Sequence, residues 1–326
     1  MSEQAYHAAK ETSVLFDLSQ RGKVELTGPE AILFLHNLCT NDVKKLAVGA
    51  GCEAFLTTAK AKVVAQFFVS RLADDLLRLD TGIGMGENVS AHLDHYLISE
   101  QLEIVDRTDE FGQLHLCGPI TNVYDLDNLQ GKEAFLADQP CFARRNDVLN
   151  LPGVDIFCPR TTVDQVKAHF LEQGAVEAFS DTYHVLRIEA GYPLYGEDID
   201  ENRFVVEVNR TEQAICYTKG CFLGQEPIVM ARDRGQVNRK LMGLIFTAGT
   251  CPKPGDKVLH DDKEAGQVTS VAQVPGSSVN IALAYLKRGH QTPNEELDVE
   301  SPEGSLTGVI SELPIRIPGK ANTEQK

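Results

Sequence analysis

The chain has 326 residues, of which 42% are hydrophobic and 24% charged, and its net charge is −16. This is the composition of an ordinary globular protein, long enough for two or three packed modules whose core needs neither disulfides nor metals. The acidic balance excludes a broad electrostatic grip on nucleic acid and adsorption to anionic membranes, leaving room only for a local basic pocket that could take an anionic ligand.

"MSEQAYHAAKETS" opens the chain without the basic flank and apolar core of a secretory signal, and no apolar run is long enough to span a bilayer. The expected compartment is the cytoplasm. Eight cysteines (Cys39, Cys52, Cys117, Cys141, Cys158, Cys216, Cys221 and Cys251) include no C-x-x-C pair, so they read there as reduced thiols rather than a disulfide framework.

"GKVELTG" (22–28) alternates and is β-branched, which predicts a strand ending in a turn. "PEAILFLHNLCTND" follows with Pro29 suited to a first helical turn and an apolar stripe of Ile32, Leu33, Leu35 and Leu38. "EAFLTTAKAKVVAQFFVSRL" reads as a hairpin around 57–62 that lacks strong glycine turn chemistry, and "LLRLDTG" as another strand. "GENVSAHLDHYLISEQLEIVD" is an amphipathic helix running into a strand. Its His92 and His95 share a face, which reads as a solvated surface rather than a metal pair, because no third ligand is near in sequence.

Further on, "QLHLCGP" is a strand, "NDVLNLPGVDIFCP" is expected to cross two more, and "TTVDQVKAHFLEQGA" is a helix capped by Thr161 or Thr162 and ended by Gly174. A helix over 181–190 stops at Gly191-Tyr-Pro, and "PIVMARDRG" is a short helix with Pro227 in its first turn and Gly235 past its end. After Asn238 the chain becomes short strands with turn residues at regular spacing, predicting a small β-barrel or sandwich. The irregular alternation of strands and helices favours an α+β architecture over a doubly wound sheet, and no Gly-rich nucleotide loop occurs.

Between these helices lies "TKGCFLGQEP" (218–227). On its residues alone Cys221 could be a nucleophile, a metal ligand, a redox thiol or a small buried side chain. Cys216 and Cys221 have the C-x4-C spacing that opens a plant-type iron–sulfur motif, but the third position, 224, is Gly, so no metal site is expected. Lys219, two positions from Cys221, would favour a thiolate, and Glu226 suits the start of the following helix.

"LRIEAGYPLYGEDI", "KGCFLGQEP" and "GQVNRKLMGL", in this order, resemble the YgfZ-type folate-binding proteins within the superfamily of the glycine-cleavage T-protein, the aminomethyltransferase. The resemblance runs along nearly the whole chain, and the K-G-C-[FY]-x-G-Q-E pattern of Lys219 to Glu226 is its most specific part. It implies three modules around a central opening with tetrahydrofolate near the middle: two interleaved α+β modules over 1–237, a barrel over 238–318 and a disordered tail over 319–326. It also implies folate-binding roles for Glu189 (to the pterin), Tyr195 (lining), Arg239 (to the glutamate tail) and Gln225, with Cys221 and Lys219 as the catalytic candidates. Glu189 taken alone would read as an exposed helix-face carboxylate, and Arg239 as a surface cation.

T-proteins carry an Asp-Asp pair where this chain places Ala65 and Gln66, and no Asp or Glu occurs from Ala54 to Leu72. Neither replacement can move a proton as a carboxylate does, so aminomethyl transfer is disfavoured. The T-protein D-x-S-H-M-G segment is likewise Asp17-Leu-Ser-Gln-Arg-Gly22 here. The resemblance thus implies a folate-binding factor supporting iron–sulfur cluster assembly or repair, with iron–sulfur proteins or their assembly factors as partners and cluster-dependent tRNA methylthiolation downstream. A folate-dependent aminomethyltransferase and a folate-binding scaffold without chemistry are the alternatives.

Overall fold

The computed structural model describes residues 3–119, 133–235, 237–247, 251–301 and 304–317. The proposed tail over 319–326 lies outside them. Two sheets and a barrel make up the protein, as the α+β reading with a terminal barrel expects.

The first sheet has the order β3-β4-β5-β2-β6. Its strands are β2 (Arg21–Thr27), β3 (Gly51–Thr57), β4 (Val63–Ala73), β5 (Leu76–Ile83) and β6 (Glu103–Asp106). Alternate residues such as Val24, Leu26, Ala65, Phe67, Leu77 and Leu79 form one core with α2 (Ala31–Leu38) and α3 (Gly86–Tyr96). Pro29 lies just before α2 rather than in its first turn. The hairpin connection turns without glycine because Ala61 takes a left-handed φ of 55°.

The second sheet has the order β11-β1-β7-β10-β9-β8. It comprises β1 (Val14–Asp17), β7 (Phe111–Cys117), β8 (Glu133–Leu136), β9 (Gln139–Arg145), β10 (Gly153–Pro159) and β11 (Val176–Ala178). One face is covered by α4 (Val163–Glu172). The "NDVLNLPGVDIFCP" stretch supplies a single strand, not two: Asn146 to Leu151 is a loop in which Asn150 has a positive φ. Thr162 stands at the start of α4 without a capping bond, its hydroxyl donating to Pro159 O instead.

The closed barrel runs β12-β15-β14-β13-β16-β17. Its strands are β12 (Arg239–Phe246), β13 (Lys257–His260), β14 (Lys263–Gln273), β15 (Asn280–Lys287), β16 (Glu296–Ser301) and β17 (Gly304–Ser311). Inward residues such as Met242, Leu244 and Val299 fill it. One outer flank, with Leu241, Ile281 and Leu283, packs on α5 (Ser180–Ala190) and α1 (Glu3–Glu11), which joins the barrel to the second sheet.

The two open sheets meet through their polar faces. Lys23, Arg78 and Asp80 of the first sheet and Gln113, His115, Arg144 and Asp155 of the second are all buried. Arg144 donates to Asp80 at 2.5 Å and to Asp155 at 2.5 Å, and His115 Nδ1 lies 2.8 Å from Asp155. Burial alone would raise the Asp155 carboxyl, but Arg144 and His115 hold it well below the usual carboxylate range. Burial also disfavours the His115 cation, yet the bond to Asp155 pushes its pKa up to about 10. Burial pushes the Lys23 ammonium down to about 8.

These two shifts have opposite signs in stability. His115 binds its proton more tightly when folded, so its contribution is complete below about 6.5 and is lost as pH rises to about 10. Lys23 binds its proton less tightly when folded, so its cost stands below about 8 and is relieved toward about 10.4. Urea unfolding of Lys23→Met against the parent is therefore expected to show the parent falling less steeply than the variant above pH 8. Parallel curves would refute the Lys23 assignment.

Candidate functional site

A cavity of about 910 Å³ opens where the two sheets meet α5. Its floor is the connection from β1 to β2, residues Asp17 to Arg21. That connection is locked by several bonds. Asp17 Oδ1 accepts from Ser19 N at 2.9 Å, Arg21 N donates to Leu18 O at 3.0 Å, and Arg160 donates to Ser19 O at 2.6 Å. Lys23 Nζ reaches Ser19 O and Arg21 O from beneath. The walls come from Gly82 and Ile83 at the end of β5, from Glu177 to Arg187 along β11 and α5, and from Leu194 to Glu197.

Three polar atoms of residues on this wall lack a hydrogen-bond partner: Nη1 of Arg21, the hydroxyl of Tyr183 and Nε of Arg187, whose other nitrogens are engaged, all inaccessible to bulk solvent. Arg21 Nη2 donates to Tyr192 Oη at 3.3 Å. Burial pushes the Tyr183 phenol up, so it stays a neutral donor. Unpaired buried donors cost free energy, on the order of 1–3 kcal/mol each, unless a ligand meets them. The rim is apolar: Ile83 is 71% exposed and Phe179 65% exposed, large side chains left uncovered at the mouth.

Arg187 fixes the wall that carries Tyr195. Its guanidinium, fully buried, reaches Asp198 at 2.8 Å, Glu197 at 2.5 Å and Ser270 of β14 at 2.8 Å. Asp198 also accepts from Leu194 N and from Thr269 and Ser270. The segment is thereby tied to both α5 and the barrel. His184 Nε2 faces Val271 O at 3.1 Å, and its Nδ1 faces Arg187 at 3.2 Å with Glu197 3.8 Å away.

Of the residues singled out in the sequence, Tyr195 lines the cavity. Glu189 does not. Its carboxylate accepts from Tyr6 at 2.8 Å and Lys10 at 2.7 Å, clamping α1 (Glu3–Glu11) to α5. Glu189 thus holds two elements together, and each of its oxygens keeps a lone pair that a further donor can use. Arg239 lies on the barrel in a separate small cavity. Gln225, at the start of α6 (Gln225–Arg234), lines neither cavity.

The 218–227 segment is docked elsewhere. Lys219 is buried, and its ammonium donates to the carbonyls of His36 (2.5 Å), Cys39 (2.7 Å) and Asn41 (2.8 Å). Those carbonyls lie at and just past the C-terminal end of α2, where a cation is favoured. Gly224, at φ 83°, sits so close to the β3–β4 hairpin that a Cβ there would stand 2.5 Å from Thr57 Oγ1. Cys221 is exposed while Lys219 points inward, so the expected ammonium–thiolate pair does not form. In this segment the thiol whose pKa is lowered is Cys216: burial opposes this, but bonds from the Thr218 hydroxyl and the Thr218 and Lys219 N–H groups outweigh it. Alkylation by iodoacetamide at neutral pH, mapped by peptide mass, is expected to slow at Cys216 in Thr218→Val; an unchanged rate would remove Thr218 from the account.

At the position of the T-protein acidic pair, Ala65 is buried in the first core and Gln66 Nε2 donates to Glu53 at 2.6 Å. Glu53 is in turn held by Arg210. Among the described residues no cluster of three or more His, Cys, Asp or Glu could hold a metal, and no helix is long and apolar enough to cross a membrane. Arg21, Tyr183 and Arg187 were not singled out in sequence. The one available signal was the 17–22 segment, whose alignment with D-x-S-H-M-G marks the cavity floor.

Residues 1–211 match the GCVT N-terminal domain, and residues 239–315 match the glycine cleavage T-protein C-terminal barrel domain. The aminomethyltransferase of Lysinibacillus sphaericus is 27% identical over 327 residues, covering 95% of this chain and 88% of the relative. That of Thermus thermophilus is 28% identical over 313 residues, covering 92% and 86%. The crystal structure of glycine cleavage system aminomethyltransferase T from Bartonella henselae superposes with a TM-score of 0.84 at 19% identity, over 96% of this chain and 89% of the other. With both of its domain families matched, in order and over most of its length, the chain belongs to the glycine cleavage T-protein family.

Proposed function

We propose that the large cavity holds tetrahydrofolate and that the protein handles one-carbon units carried by it. The observation that supports this is the pair of unpartnered buried donors, Arg21 Nη1 and Tyr183 Oη, on the wall of a cavity of about 910 Å³. The volume lies within the usual ~300–1,000 Å³ of a cofactor-sized pocket. The donor set fits the group: a pterin ring offers a carbonyl and ring nitrogens as acceptors, and Phe16, Leu18, Ile83 and Phe179 offer apolar surface to its faces. Arg160 on the same wall suits the carboxylates of a folate tail. When bound, tetrahydrofolate would supply the nitrogens that carry a one-carbon unit; the protein's share is to orient the ring, exclude water and keep Tyr183 protonated.

The aminomethyltransferase relatives make aminomethyl transfer the first activity to assay. The chain offers no carboxylate from Ala54 to Leu72 to assist the amine, and the four that line the cavity are engaged: Asp17 by Ser19 N, Glu177 by Lys167, Asp181 by Thr182 N and Glu197 by Arg187. Full-length protein supplied with tetrahydrofolate and an aminomethyl-loaded lipoyl carrier is therefore expected to bind folate yet form methylene-tetrahydrofolate far more slowly than the relatives. Turnover at their rate would overturn this half of the reading. Support of iron–sulfur enzymes is the second reading, favoured by the Lys219–Glu226 motif with its exposed Cys221 thiol. Full rescue of a deletion strain's cluster-enzyme defect by Cys221→Ala would end any thiol role.

A further inference from the structure

A second, smaller cavity of about 130 Å³ lies on the barrel flank and shares no lining residue with the first. It is built on two adjacent rows of residues across neighbouring strands. Arg239 of β12 stands directly opposite Lys287 of β15, Tyr285 opposite Gln267 of β14, and Gln267 opposite Lys257 of β13. Arg203, just ahead of the single helical turn Val205–Val208, closes the cavity with its guanidinium 3.9 Å over the Tyr285 ring.

The charges here are one-sided. Four cations line the cavity against a single carboxylate, Glu264, which Lys287 already holds at 2.7 Å. Arg203, Arg239 and Lys257 have no ion-pair partner among the described residues. Like charges placed directly across a strand pair are destabilising, and this chain has a net charge of −16 with acids to spare. Beneath the cations, the hydroxyl of Tyr285, a residue 1% exposed, is buried without a partner, as is Nε of Arg203. Burial keeps this phenol protonated, so it can only gain by donating to an acceptor.

Size narrows the ligand. The space is worth about four waters at ~30 Å³ each, well below the ~300 Å³ at which pockets for whole cofactors begin. Cations arriving from separate strands, with a hydroxyl below, surround a tetrahedral anion better than the flat edge of one carboxylate. We infer that the Arg203–Arg239–Lys257–Tyr285 cavity is a binding site for a phosphate group, either free or as the terminal group of a phosphomonoester. This site is independent of the folate reading.

The test is equilibrium dialysis of the full-length protein with inorganic phosphate, methyl phosphate and acetate, at ionic strength fixed with chloride. Saturable phosphate binding is expected, with the Arg239→Ala/Lys257→Ala double variant weaker by about tenfold or more. Tyr285→Phe is expected to weaken binding several-fold while leaving the melting temperature of the unliganded protein unchanged or raised, because it removes an unpaired buried hydroxyl. Tighter binding of methyl phosphate than of inorganic phosphate would mark a phosphomonoester as the source, and the reverse the free anion. Phosphate held no better than acetate, or held equally by the double variant, would overturn the proposal. Tetrahydrofolate binding measured on the same variants should not change, which separates this site from the large cavity.

Discussion

Asp155→Ala is expected to destabilise the protein by about 3–5 kcal/mol, the usual cost of leaving a buried cation without its partner. Asp155 accepts from Arg144, His115 and Asn146 at once, and all are buried between the two sheets. Its loss leaves Arg144 with Asp80 and Ser70 and takes from His115 its bond to a carboxylate, so the imidazole should fall from about 10. Urea unfolding midpoints measure the first effect. The second predicts that Asp155→Asn, which keeps the shape, loses the fall in stability that the parent shows from about pH 6.5 to about 8, above which the relief at Lys23 offsets it. A change below about 1 kcal/mol, of the size seen for exposed pairs, would show that the layer between the sheets is wet rather than buried.

Arg21→Ala combined with Tyr183→Phe is expected to weaken tetrahydrofolate binding by a factor of about one hundred, from two charge-assisted or buried hydrogen bonds at ~1.4 kcal/mol per tenfold. The double variant should fold, because neither change orphans a charge. Arg21 has one hydrogen bond, to the Tyr192 hydroxyl, and Tyr183 Oη has none. Isothermal titration with the double variant checks this, and retention of the parent affinity would move the cofactor away from this wall. The companion variant Glu189→Gln is expected to lower the melting temperature by loosening α1 (Glu3–Glu11) while leaving affinity intact, since its carboxylate serves Tyr6 and Lys10.

The barrel, the hairpins and the helices on each side of the 218–227 segment are legible in sequence because their patterns have one period and clear turn residues. The polar layer is not. Along β2 and β5, alternation of Val24, Leu26, Leu77 and Leu79 with Lys23, Glu25, Arg78 and Asp80 looks like a sheet with one wet face. The polar residues are instead buried against a second sheet whose matching charges, Arg144 and Asp155, lie far along the chain. Local pattern carries no information about such a partner.

The site shows the same division. Tyr195, in the "LYG" segment past the break that ends α5, lines the large cavity. Lys219 and Cys221 look like a reactive pair because they are two apart in sequence. In the structure one side chain is buried and the other exposed, and Lys219 serves three carbonyls near the end of α2 (Ala31–Leu38). Tyr183 carries no motif and Arg21 only a place in the 17–22 segment; folding alone brings a guanidinium from the start of β2 to a phenol on α5.

Where folate sits can be read directly by hydrogen exchange of the full-length protein with and without saturating tetrahydrofolate. Slower exchange is expected in the 17–21 connection, along 178–187 and around 194–197, with the 216–226 segment unchanged. Protection confined to 216–226, or none anywhere, would contradict the placement of the cofactor in the large cavity.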